Sequence, residues 1–494
     1  MIAAVAVARC RVRFLPAPLR QPKRAATSPR GGGSDSSALA SLRLCPPSAT
    51  WQRMARGRAP TLPKSPIGRI FANTAWLLGG KGFGALCGIA YLAILTRGLG
   101  LKGFGHFALI FGTAQALIAI VSIQTWQTVV LYGAPSVHAG EWRKFGQLGM
   151  LCALLDVFSA VLGCIVAWLV IYHSGGLVHI NVNYIDPAFW FCCAMLWALV
   201  STPTGIVRAL DRFDIAVYVE ALVPIGRLVA AVVIAATGPT VVKFLIAWAL
   251  VDLLEAAAYW AMARYLCPQA VRLENLKQWR SAIGDNPGIG RFFGITYASA
   301  LLDAAVRHGP LLAVGALVGT RAAGLYRLAS QVSQALSKLS TLLTRAAYAE
   351  IARARIAAKA DEFRKLVVQT SLIAGGAGAA VVAIAIFAGA SLLALLGGDE
   401  FARGATILIP LAIAASFDLA SVAFEPVLHS TGLARYALIA RAIAVVAMAA
   451  AMVFLVPYGA PGIAWAVAVG GVVSFLALGG FARHTLNRME HRVA

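Results

Sequence analysis

The sequence predicts an all-α polytopic membrane protein of about twelve transmembrane helices in two six-helix lobes. Three observations carry this. First, 60% of the 494 residues are hydrophobic and only 13% are charged, with a mean hydropathy of +0.77. Soluble domains average about 25% charged residues, and no soluble core could hide this much apolar surface. Second, the apolar residues fall in repeated runs of about 20, the length at which a helix crosses hydrocarbon. Third, the loops between runs are short, which fits a bundle whose backbone bonds internally and carries no inserted soluble domain.

The chain opens with a basic tail, residues 1–64. Residues 1–53 are rich in Arg, Pro, Gly and Ser and are expected to be disordered. Residues 1–70 hold 13 Lys/Arg and a single acid, Asp35. Arg-rich, acid-poor composition is also that of organelle transit peptides. The favoured reading is a start at Met54, which leaves a short basic leader (Arg56, Arg58, Lys64, Arg69) before the first span.

The predicted spans are 71–95, 105–130, 148–172, 187–207, 216–237 and 241–263 in an N-terminal lobe (65–275). They continue as 291–316, 322–346, 366–396, 405–430, 436–456 and 461–481 in a C-terminal lobe (276–494). Charge sorts the loops. One side carries 19 Lys/Arg and the other six: Arg97, Lys102, Lys243, Arg321, Arg327 and Arg403. The excess, with the basic tail, puts both termini in the cytoplasm. The net charge of +23 is therefore a topology signal. There is no basic module for nucleic acid. The eight cysteines show no CxxC and no ligand-spaced Cys/His cluster, so they read as small buried apolar residues.

An internal repeat joins the lobes. Leu99-Gly-Leu-Lys-Gly-Phe-Gly-His-Phe-Ala-Leu109 follows span one, and Val318-Gly-Thr-Arg-Ala-Ala-Gly-Leu-Tyr-Arg-Leu328 follows span seven. At an offset of 219, Gly100 and Gly105 coincide with Gly319 and Gly324, and span one lies on span seven. Six spans per half is even, so both halves enter from the same side. That is a parallel repeat about the membrane normal, an arrangement found in transporters. Gly98-x-Gly100-x-x-Gly103 formally matches a dinucleotide fingerprint, but no strand precedes it and a span flanks each side. A tight turn explains it better.

Charges inside spans carry the functional expectation, because each costs about 2.5–3.5 kcal/mol at the bilayer centre unless it meets water or a partner. Lys81, Arg227, Arg307 and Lys338 are candidate cations of a central cleft, and Asp303, Asp418 and Glu425 are candidate ion-coupling acids. Helical spacing gathers them into stripes. Thr296, Ser299, Asp303 and Arg307 share one face of span seven. Arg327, Gln331, Gln334, Lys338 and Arg345 share one face of span eight, and Asp418, Ser421, Glu425 and His429 one face of span ten. Thr296, Ser299, Gln331 and Gln334 are the expected polar lining.

Bland readings stand beside these. Asp303 and Arg307, four residues apart, could neutralise each other. Arg441 could snorkel. Asp252 and Glu255 could pair with Arg227 as a structural cluster. Glycines such as Gly84 and Gly88 fit close helix packing. Lys81 has no acid one turn away and is the hardest charge to explain structurally.

The stretch Ile94-Leu-Thr-Arg-Gly-Leu-Gly-Leu-Lys-Gly-Phe-Gly-His-Phe-Ala-Leu109 closely resembles the turn after the first helix in polysaccharide transporters. These are the lipid-linked oligosaccharide (O-antigen-type) flippases of the multidrug/oligosaccharidyl-lipid/polysaccharide exporter superfamily. Gly324-Leu-Tyr326 resembles that family's second-half motif, and the resemblance covers roughly residues 65–494. The chain departs from the pattern at Gly98 and at Gln124–Gln127. The resemblance implies a polyprenyl-pyrophosphate-linked oligosaccharide as substrate, moved by alternating access across the bacterial cytoplasmic membrane. It also implies a coupling proton or sodium ion, other polysaccharide-assembly membrane proteins as partners, and no cofactor.

Two other function classes are weighed. A drug or metabolite–cation antiporter of the same superfamily would need acids, not cations, to dominate the cleft. An integral membrane glycan polymerase or ligase would need a large catalytic loop. The longest loop on the far side, about 173–186, offers only His173, His179 and Asp186.

Overall fold

The computed structural model describes the backbone of residues 66–173, 181–353, 360–421, 424, 428 and 434–493. Side chains at 66–82, 339–368 and 485–493 are outside that description, as is the expected tail 1–64. Among the described residues every regular element is a helix. The first helical stretch, Pro66–Val121, is two helices, α1 (66–99) and α2 (101–121), joined at Gly100, whose φ of 62° and ψ of 179° break the ladder. There follow α3 (Thr125–Ala139), α4 (Trp142–Trp168), α5 (Ile185–Trp197), α6 (Ser201–Ala209), α7 (Phe213–Glu220), α8 (Leu222–Ala236) and α9 (Val241–Leu266). A short α10 (Trp279–Asp285) leads to α11 (Ile289–Leu317), α12 (Thr320–Arg353), α13 (Ala360–Gly397), α14 (Ala405–Ser421), α15 (Ala434–Leu455) and α16 (Gly459–Val493).

The described parts of all twelve predicted spans fall on these helices. Eight stretches among the described residues are long and apolar enough to cross a membrane. Two of those stretches join two spans each, and the spans left out are α9 and α12, which carry many in-span charges. Three spans of the first half are broken where single helices were expected. Span two breaks at 122–124, span four at 198–200, and span five is divided into α7 and α8. The repeat is visible in the backbone. Gly319, between α11 and α12, has φ of 111°, so the equivalent glycines of the two halves both take the left-handed conformation that glycine alone adopts freely.

The core is distributed unevenly. Leu78–Ala494 packs as one unit. Its largest buried cluster draws residues between 95 and 249 from the first half and between 311 and 464 from the second. These lie toward the end of the bundle that carries the Gly100 and Gly319 turns. Toward the opposite end, a cluster from Val129 to Ile289 draws on the first half, α10 and the start of α11. A small cluster (Leu428, Ala437, Ala440, Leu478) belongs to the second half. Among the described residues the largest core is thus shared at the turn end, and two smaller clusters lie toward the other, hereafter the split end.

Candidate functional site

Helix α12 runs from the turn end toward the split end, and its polar face records the change. Arg327 and Gln331 are half-buried, whereas Gln334 and Lys338, farther along the same face, are exposed. At the deep end, the Arg327 guanidinium lies 5.3 Å from the centre of the Phe111 ring on α2. Arg227 of α8 lies 5.6 Å from the same ring and 5.6 Å from Trp248 of α9. The two cations therefore share Phe111 and are electrostatic neighbours, with Tyr91 of α1 also beside Arg327. An aromatic cluster holds Phe111 in place. Phe107 stacks on it at 5.9 Å, and Trp248 meets Phe107 at 5.7 Å, Tyr91 at 5.4 Å and Phe244 at 5.6 Å, all edge-on.

These two arginines are not equivalent. Arg227 donates to both carboxylate oxygens of Asp252, at 2.7 and 3.0 Å, with both side chains mostly buried. Its charge is balanced locally, as the structural reading of this cluster expected, although its Nε is buried without a partner. No ion pair holds Arg327 among the described residues. His308 of α11 lies within electrostatic reach of both Arg327 and Arg307, and its Nδ1 is buried and unpartnered. Arg307 itself is exposed. Arg327, His308 and Arg307 thus form an electropositive path across two helices of the second half.

Two pairings correct the sequence reading. Asp303 does not neutralise Arg307, because the Arg441 guanidinium of α15 donates to it at 2.6 Å. Arg441 accordingly turns to a carboxylate on α11 instead of snorkelling. Arg327, counted as a loop charge, sits inside α12 against Phe111. The other candidates are scattered. Thr296 donates back to Phe292 O and Phe293 O at 2.9 and 3.1 Å, so its hydroxyl is used within its own helix. Ser299 is half-buried, and Gln334 Nε2 donates to Ser330 Oγ at 3.1 Å. Asp418 is exposed, with its carbonyl accepting from Ser421 Oγ at 2.8 Å. The Lys81 side chain, Glu425 and His429 lie outside the described residues.

A second polar region lies within the first half, where broken spans two and four meet. Asp156 of α4 accepts from Thr125 Oγ1 at 2.8 Å and from the Thr202 backbone N–H at 3.0 Å. The Ser201 hydroxyl, 2.7 Å from Thr125 Oγ1, donates to that oxygen. A buried carboxylate thereby satisfies the open Thr202 N–H at the start of α6, where the helix dipole favours it. Beside this junction is a cavity of ≈490 Å³ whose walls include Gln124, Asp156, Arg208, Glu220 and Glu255. Arg208 pairs with Glu220 at 3.0 Å, while Glu255 is half-buried without an ion pair among the described residues. Hydropathy did not reveal this cavity, but Gln124-Thr125 and Ser201-Thr202-Pro203 are helix-start chemistry that marks both breaks.

Comparison with known proteins agrees with this architecture. Inner membrane protein YghQ of Escherichia coli (strain K12) is 28% identical over 344 residues, covering 67% of this chain and 93% of that protein. The fold matches an inward-facing multidrug resistance MATE family transporter of the MOP superfamily at a TM-score of 0.64 and 16% identity, over 83% of this chain and 96% of that one. It also matches the lipid II flippase MurJ in an inward closed conformation at a TM-score of 0.63 and 11% identity, over 81% and 85% of the two chains. The family model described as polysaccharide biosynthesis protein matches residues 70–355, more than half of the chain. The chain therefore belongs to the polysaccharide biosynthesis protein family, as a multi-pass membrane protein with the fold of MOP-superfamily transporters.

Proposed function

We propose that this protein moves a polyprenyl-pyrophosphate-linked oligosaccharide across the bacterial cytoplasmic membrane for O-antigen, capsule or exopolysaccharide assembly. The observation that carries this reading is Arg327. It is a half-buried cation without a carboxylate partner among the described residues, at the deep end of a polar face that opens toward the split end. A cation so placed, next to His308 and Arg307, suits a multiply charged anionic headgroup. Gln331, Gln334 and Ser299 suit sugar hydroxyls. Lys338, exposed farther along the same face, draws the anion in, and Lys81 on α1 is assigned to the same cleft. Membership of a polysaccharide biosynthesis family supports the sugar, and the relative named as an inner membrane protein supports the location.

The positive-inside count puts both termini and the split end in the cytoplasm. Alternating access would then rock one half against the other. Coupling to a proton or sodium ion falls to a carboxylate. Asp303, held by Arg441, would release it on rocking, and Asp418 and Glu425 extend the same set. Glu255, in the cavity of the first half, is a further candidate.

The test is flipping of a fluorescent polyprenyl-pyrophosphate oligosaccharide in proteoliposomes. Wild type is expected to flip it, and Arg327→Ala and Lys81→Ala to lose flipping while still inserting. Full activity of Arg327→Ala would overturn the cationic cleft. One observation favours the second reading, a drug or metabolite–cation antiporter: the acid-bearing cavity of ≈490 Å³. Efflux of cationic dyes, lost in Glu255→Gln, with no flipping by well-folded wild type, would establish that reading instead.

A further inference from the structure

The two halves meet at the turn end through glycine. A Cβ at Gly105 of α2 would overlap the Thr320 carbonyl oxygen at the start of α12. A Cβ at Gly324 of α12 would lie 3.0 Å from the Leu101 carbonyl oxygen and 3.2 Å from the Gly105 Cα. These are the equivalent residues of the repeat, 219 positions apart, so backbone touches backbone across the pseudo-symmetry axis. A second crossed contact lies one layer deeper. Leu109 of α2 seats on Gly315 of α11, where a Cβ would overlap its Cδ2, and Leu311 of α11 approaches Gly112 of α2, where a Cβ would be 2.7 Å from its Cδ2. Toward the split end the described residues of the two halves meet through side chains instead, as where Tyr132 of α3 meets Phe292 of α11 edge-on at 5.8 Å.

We propose that Gly105 and Gly324 form the gate at the turn end. The halves would separate there for the cleft to open to the other face of the membrane, and any side chain at either position would wedge the gate apart. Two features support this. The outer contact, at Gly105 and Gly324, is backbone on backbone and parts without moving a side chain, while beneath it Leu109 and Leu311 must leave Gly315 and Gly112. The largest core among the described residues is shared by the two halves at this end, so its closure decides which side has access. The proposal rests on the alternating-access part of the reading above, not on the identity of the substrate.

The test is the accessibility of a cysteine in the cleft, Gln331→Cys, to a membrane-impermeant maleimide. Reagent is applied to each membrane face in turn, in right-side-out and inverted vesicles. Labelling of the chain without this cysteine is subtracted, because the native chain has cysteines of its own. With the gate intact, labelling is expected from the split-end face only. Adding Gly105→Ala or Gly324→Ala is expected to raise labelling from the turn-end face by about tenfold or more, the shift of a biased two-state equilibrium. Gly480→Ala, where a Cβ meets nothing within 4 Å, should change nothing. Unchanged labelling from both faces in the gate variants, with normal amounts in the membrane, would overturn the gate. If Gly105→Ala does not reach the membrane, Gly324→Ala decides, because its contacts are less severe. Labelling needs no substrate, so a failed flipping assay would leave this result standing.

Discussion

The two ends of the bundle are built differently. At the turn end, α2, α9, α11, α12, α13 and α14 contribute to one core, and the halves approach to backbone distance at Gly105 and Gly324. Toward the split end, the described residues form two smaller clusters, one of the first half with α10 and the start of α11, and one of the second half. Arg227 and Asp252, packed against Phe111 and Trp248 of the shared core, are paired and mostly buried. Gln334 and Lys338, toward the split end, are exposed. In a membrane a charge needs a partner or water. Arg227 meets a carboxylate beside Phe111, whereas Arg327, on the same ring, has no ion pair among the described residues.

The sharpest way to break this comparison is to remove one member of the buried pair. Asp252→Ala leaves Arg227 buried and uncompensated, and such changes destabilise by about 3–5 kcal/mol. A large fall in thermal stability of the detergent-purified protein is the expected result. Replacing both residues together (Arg227→Met with Asp252→Leu) should recover most of that loss, because apolar groups of similar volume often substitute for a buried pair with little penalty. Recovery with flipping retained would also mark Arg227 as packing machinery. Recovered stability with flipping abolished would return Arg227 to the binding site.

Asp156 sets the next largest effect. Its carboxylate satisfies Thr125 and the start of α6 at the junction of two broken spans. Asp156→Ala removes two charge-assisted bonds and strands buried donors, an effect of about 2–3 kcal/mol. Asp156→Asn keeps an acceptor oxygen and should lose less. Equal losses in the two variants would show that the charge, rather than the hydrogen bonds, holds the junction.

The architecture was legible because it follows from composition and periodicity. Apolar runs fix the spans, and the glycines at offset 219 mark the repeat. The left-handed backbone at Gly100 and Gly319 is the physical content of that match. Pairing was less legible. Asp303 finds Arg441, 138 residues away, and not Arg307 one turn along its own helix, since pairing depends on how α11 and α15 pack. Arg327 counts among the loop charges and also falls on the polar face of span eight; in the structure it lies within α12. A residue only eight positions past Gly319 is already deep in the bundle when the helix starts at Thr320 and the adjoining end is closed. The breaks at 122–124 and 198–200 were hidden because hydropathy averages across them. Only their Ser/Thr/Pro chemistry gives them away.

The smallest expected effect separates an ion pair that holds the fold from one that does not. Asp303 and Arg441 meet at 2.6 Å, a distance as short as the Arg227–Asp252 pair, but the side chains are 45% and 32% exposed against 11% and 13%. Distance alone would make the two pairs equivalent. Exposure makes them different, because solvent already stabilises each separated charge and screens their attraction. Asp303→Asn should therefore lower stability by about 1 kcal/mol or less, far below Asp252→Ala in the same assay. If Asp303 is a coupling acid, the same variant should lose gradient-dependent transport while remaining stable, since a carboxamide cannot release a proton. A stability loss as large as that of Asp252→Ala would instead place the α11–α15 contact among the structural pairs. It would also remove Asp303 from the coupling set.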